Sequence, residues 1–171
     1  KGAGSAINND TANGTVAIGY TALTALTEGG NNTAVGYQAL TVCTDGKLNT
    51  AIGYGAMSQA MDVGDNNTGV GAQALYNLNP DTVDHGSNTA MGANAGYTLT
   101  TGTDCTYIGT NAGYYNSTGN GNVAVGRNAA GGAVGSHNYG VAIGYNAHNA
   151  ITTGNDNIAI GYGAGDSITT A

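Results

Sequence analysis

"NNTAVGYQAL" (residues 31–40) is followed by "NTAIGYGAM" from Asn49, "NTGVGAQAL" from Asn67 and "NTAMGANAG" from Asn88. Taking the Gly of each phrase as position zero, the phrase recurs at Gly19, Gly36, Gly53, Gly71, Gly92, Gly109, Gly126, Gly144 and Gly161. The steps are 17, 17, 18, 21, 17, 17, 18 and 17 residues. Ala stands three residues after every one of these glycines, and Ile, Val or Met stands one before. A unit this regular organises the whole chain, so the repeat takes precedence over any single motif.

Each position of the unit has a physical reading. Three before the Gly the residue is always β-branched (Val16, Thr33, Thr50, Thr68, Thr89, Thr106, Val123, Val141, Ile158). Side chains alternate along a strand, so this residue and the aliphatic one two later share a face, expected to be the interior. Between them Ala recurs in seven copies, with Gly69 and Tyr107 as exceptions, and that small-residue face is expected to lie outward, approached closely by another chain. The Gly then permits the tight corner that ends the strand.

Seventeen residues are too few for two strands and a crossover helix, but they suit one coil of a solenoid in which each strand pairs with its copies above and below. The expected fold class is all-β: a parallel β-solenoid (β-roll) of about nine coils of 17–18 residues, with almost no helix. One repeat domain spans 1–171, with coils over about 13–165, forming a rod about 40 Å long at the usual strand spacing. Polar stretches such as "TEGGN", "TDGKLN" and "TGNGN" supply turn residues. The long fourth interval, "NLNPDTVDHGS" (77–87), which carries the lone Pro80, is expected to protrude as a loop.

Composition agrees. The chain has 171 residues, 31 Gly, no Phe or Trp, and only 8% charged residues, yet 40% of it is apolar. Small side chains must therefore be stacked in ladders, because no large aromatic core is available. A formal charge of −7 offers no footprint for nucleic acid or an anionic membrane surface, and no apolar run is long enough for a spanning helix. The start at Lys1, without Met, reads as a processed product or an excised piece of something longer.

Chemistry-bearing motifs are few. "GVGAQA" (69–74) satisfies a dinucleotide fingerprint but is the fourth copy of the repeat. His85, His137 and His148 fall at unrelated phases and read as solvated loop residues, not as a zinc site or a triad. The oxygen-rich "DVGDNN" (62–67) and "TGNDN" (153–157) read as turns, lacking known calcium-loop spacing. Cys43 and Cys105, four coils apart, would lie about 19 Å from each other by strand spacing, so two separate buried thiols are expected. No cofactor, metal or catalytic residue is assigned, and the chain is read as non-enzymatic.

Tyrosine is more informative. Tyr20, Tyr37, Tyr54, Tyr145 and Tyr162 follow the phrase Gly directly, while Tyr76, Tyr97 and Tyr114 share a second phase five after it. The first set is a candidate glycan-stacking surface, and stacked rings covering the rod or filling a chain interface are the alternative.

"NGTVAIGYTA" (13–22), "GNVAVGRNA" (121–129), "GVAIGYNA" (140–147) and "NIAIGYGA" (157–164) resemble the repeats of trimeric autotransporter adhesin heads. "NNTAVGYQAL" is similar to repeats of bacteriophage tail fibres and tailspikes. The resemblance implies a left-handed parallel β-roll with three chains about one axis, working outside a cell, on its surface or on a virion, as an attachment fibre. This chain departs from it in using a longer coil. The expected partners are further copies of itself, as a homotrimer that also stacks end to end at its weakly guarded first and last strand edges, and a cell-surface glycan. Two other readings remain open: an ice-binding solenoid, motivated by the ladder Thr33, Thr50, Thr68, Thr89 and Thr106, and a polysaccharide-processing spike.

Overall fold

The computed structural model describes residues 2–7, 12–59, 64–79, 85–132 and 136–169. Eleven short strands follow one another: β1 (Val16–Ile18), β2 (Thr33–Val35), β3 (Thr50–Ile52), β4 (Gly64–Asp65), β5 (Thr68–Val70), β6 (His85–Gly86), β7 (Thr89–Met91), β8 (Thr106–Ile108), β9 (Val123–Val125), β10 (Val141–Ile143) and β11 (Ile158–Ile160). Nine of them, one per phrase, form a single parallel sheet in chain order, and β4 pairs with β6 beside it. Among the described residues there is no α-helix. The fold is the parallel β-solenoid that the repeat predicts.

Register follows the phrase. Val16 pairs with Thr33, Thr33 with Thr50, and Thr50 with Thr68, and the pattern continues to Val141 with Ile158. The 21-residue step between β5 and β7 keeps it, with Thr68 opposite Thr89. Of the expected protruding loop at 77–87, Leu78 is buried and Gly86 lies in β6, while residues 80–84 fall outside the described residues.

The two faces of the sheet are the reverse of the expectation from side-chain size. The middle residues Ala34, Ala51, Ala90, Tyr107, Ala124 and Ala142 are buried inside their own coil, whereas the flanking aliphatic residues point outward. Ile18 is 58% exposed, Met91 46% and Ile52 39%. The Thr ladder lies on this outward face, half-buried by its neighbours. The small-residue face is thus an interior, not a seam between chains. The reason is geometric: in most coils the corner already brings larger apolar groups inward, and little room remains behind the strand.

Those groups come from two further columns. Four residues after the phrase Gly stand Leu23, Leu40, Met57 and Leu75, and seven after it stand Leu26, Cys43, Leu78, Leu99 and Ile151, all buried. The invariant Ala column at the third position (Ala22 and Ala39, for example) packs beside them with no exposure. The phrase Gly itself has φ between 125° and 137° in all nine coils. A Cβ on Gly36 would lie 2.7 Å from the carbonyl carbon of Gly53, so both the backbone angle and the close coil contact demand glycine. Two positions later the chain is again left-handed, which suits the Asn at 94, 111, 128 and 146.

One polar column is also internal. Asn32, Asn49, Asn67, Asn88 and Asn122, four residues before the Gly, are buried. The Asn49 N–H donates to the Asn32 side-chain oxygen at 2.9 Å, Asn67 N–H to Asn49 at 2.9 Å, and Asn88 N–H to Asn67 at 3.0 Å. Their amide nitrogens donate to turn carbonyls, as from Asn32 to Gly46 at 2.6 Å. These residues, read from the sequence as turn formers, tie the turn of each coil to its strand and satisfy backbone groups that burial would otherwise strand.

Candidate functional site

Three surface features rise from this scaffold. The first is the outward sheet face: in-register columns of Thr or Val and of Ile, Val or Met, rung after rung. It carries no charged residue along its strands, and every coil contributes one aliphatic residue to it beside a Thr, Val or Ile. A contiguous apolar strip of this kind is a mark of an interaction surface.

The second is the candidate glycan strip. Tyr20, Tyr37 and Tyr54 are exposed and stack on one another, with ring centroids 5.4 and 5.5 Å apart, and Tyr145 stacks on Tyr162 at 5.2 Å. The structure separates the five into the group of three and the pair that the spacing implies, because Ala72, Ala93, Thr110 and Arg127 interrupt the column. Within each group the rings lie face towards face, so what they offer solvent is chiefly their edges and hydroxyls.

The third feature joins the second Tyr column read from the sequence to a groove that the sequence did not show. Tyr76, Tyr97 and Tyr114 stack at 5.1 and 5.0 Å, and Tyr115 stands edge-on to Tyr114 at 4.6 Å and 71°. On the next coil the same column holds Gly131, and the stack ends. Beside the last ring lies a groove of about 430 Å³ lined by Asn94, Asn111, Tyr114, Tyr115, Asn128, Gly131, Gly132 and Asn149. The asparagines form a second ladder: Asn94 donates to Asn111 at 3.2 Å, Asn111 to Asn128 at 3.2 Å, and Asn128 to Asn146 at 3.0 Å. The sequence signals were the Asn recurring two residues after the Gly and the break of the Tyr column at Gly131.

The remaining candidates are accounted for structurally. Cys43 and Cys105 are two separate buried thiols with no disulfide between them, as expected, and burial raises the Cys105 thiol above its usual range. Cys105 occupies the column that Asn holds elsewhere, and its Sγ lies 3.1 Å from the Gly119 carbonyl oxygen. His137 and His148 are not solvated loop residues: both are buried, and desolvation holds His137 down to about 4. His148 fills the interior column of the leucines, its own pKa lowered by burial. His85 contributes its backbone to β6. Asp65, in the first oxygen-rich stretch, accepts the Lys47 N–H at 2.7 Å, while Asp62 lies outside the described residues. Among the described residues no three His, Cys, Asp or Glu side chains cluster as metal ligands, and no helix is long and apolar enough to cross a membrane. No family model, no curated protein and no solved structure matches this chain.

Proposed function

We propose that the chain is a structural, non-enzymatic segment of an extracellular attachment fibre or adhesin, on a virion or a cell surface, assembling as a homotrimer through its outward sheet face. The observation that carries this reading is the unbroken aliphatic column from Ile18 to Ile160, exposed or half-buried on the outside of a rod whose interior is already filled by other columns. Burying such a strip between parallel copies removes apolar area along the whole length, and the regular rise of the coils lets three identical columns interdigitate. The stacked tyrosines at 20, 37, 54, 145 and 162 then line the rod as a further contact surface for a glycan, and end-to-end contacts between rods extend the fibre.

Ice binding is a second reading, favoured by one specific observation: the Thr33, Thr50, Thr68, Thr89 and Thr106 ladder lies on the outward face. The two readings compete for the same surface. A Val70→Lys, Ile108→Lys double variant tests the first, since both side chains point away from the core. Sedimentation should show separated single chains with an unchanged circular dichroism spectrum. An unchanged assembly in the variant counts against the face, and thermal hysteresis in the unmodified chain would favour the second reading.

A further inference from the structure

We infer that the groove beside Tyr114 and Tyr115 is a binding site for one neutral pyranose ring of a glycan. The inference deepens the attachment reading and rests on it only for the class of ligand. Three observations converge. First, the stack Tyr76–Tyr97–Tyr114 is cut off by Gly131, which has no side chain to provide the next rung, and Gly132 follows it. A Cβ at Gly131 would strike the Asn111 carbonyl oxygen, so the coil contact itself keeps this position bare. The result is a recess one ring deep whose wall is Tyr115, 39% exposed and edge-on to Tyr114. An exposed tyrosine face at the side of a recess suits the apolar C–H face of a sugar.

Second, the polar part of the lining is built of amides. Asn111 and Asn128 each donate one N–H and accept one hydrogen bond along their ladder, which leaves each a second N–H and a second lone pair. Asn149 adds a side-chain oxygen that is buried with no hydrogen-bond partner. Paired donors and acceptors next to an aromatic face are what the alternating hydroxyls of a pyranose require. Third, among the described residues no Asp, Glu, Lys, Arg or His lines the groove. A phosphate, a sialic acid or a uronic acid would enter uncompensated, so the site selects an uncharged sugar. The volume, about 430 Å³, holds one ring with its substituents.

The test is saturation-transfer NMR on the intact chain, with the methyl glycosides of glucose, galactose, mannose and N-acetylglucosamine, and with glucuronic and sialic acid as charged probes. Binding of at least one neutral glycoside is expected, with no signal from the charged ones. Tyr115→Ala, which removes the platform, should weaken binding about tenfold, in line with loss of an aromatic contact. Asn149→Ala should weaken it by a similar factor, and Tyr139→Asn, on an exposed left-handed residue away from the groove, should leave it unchanged. Circular dichroism of each variant separates loss of binding from loss of fold. Silence from every neutral glycoside, preference for the acids, or affinity that survives both groove substitutions would overturn the inference. The mass of the assembly tests the fibre reading separately: a monomer that binds sugar keeps the groove, and a trimer that binds none loses it.

Discussion

Coils two to four and coils five to seven fill the same interior with opposite choices of residue. In the first group the strand contributes nothing larger than Ala34, Ala51 and Gly69, and the corner contributes Leu40, Met57 and Leu75. In the second group the strand contributes Tyr107, fully buried, and the corner shrinks to Gly96, Gly113 and Ala130. A Cβ at Gly113 would fall on the Tyr107 ring, and one at Gly96 would sit 2.9 Å from its edge. The ring takes the space of two leucine side chains, and its hydroxyl accepts a hydrogen bond from Asn116 at 3.1 Å. The bulk missing from the corners of coils five and six is supplied by the Tyr107 ring, so filling is shared between positions and not fixed to one residue. Coil nine repeats the device on a smaller scale, with Gly165 bare beneath the His148 ring of coil eight.

The strongest way to break this compensation is Tyr107→Ala. It leaves two glycines facing an empty ring site and should cost about 3–5 kcal/mol, measured by denaturant unfolding. Restoring volume with Gly113→Leu in that background should recover only part, because the leucine must adopt a left-handed backbone there. In coils two to four the polar column matters more. Asn49→Ala strands the Asn67 N–H and the Gly64 carbonyl oxygen and should cost about 1–3 kcal/mol.

The buried histidines make the lower coils acid-sensitive. His137 is held neutral at about 4 by burial first and by His148 second, whereas unfolded histidine titrates near the ordinary 6.5. Below that ordinary value the unfolded chain takes up protons that the folded chain refuses. Stability should therefore be full above about pH 6.5 and fall as pH drops towards 4, by about 3 kcal/mol for this one group. Unfolding midpoints across that range check the slope, and His137→Asn should flatten it.

The smallest expected effect is a gain. Leu48 is 54% exposed and left-handed (φ 58°), at a position where other coils carry Asn31, Asn66 or Asp104. Leu48→Asn should stabilise the chain by about 1 kcal/mol in the same unfolding assay.

The sequence carried the sheet in full, because a phrase repeated in phase can pair in parallel only with itself, and every rung from Val16 to Ile160 sits where the phrase puts it. Which face was inside was not legible. Alternation separates two faces but does not orient them, and reading the larger residues as interior ignored Leu23, Leu40 and Leu75, which the corner brings in from outside the strand. The buried Asn column looked like turn chemistry for a similar reason: Asn suits both, and only closure of the coil decides. The Tyr columns were legible as ladders, but the groove depends on where a ladder stops, at Gly131, and on the Asn149 side chain from the following coil.

The central claim is that the outward aliphatic column is an assembly face. Sedimentation equilibrium of the unmodified chain tests it most directly. A mass three times the 16.7 kDa of one chain is predicted, holding as the concentration is lowered. A single-chain mass at all concentrations would contradict it.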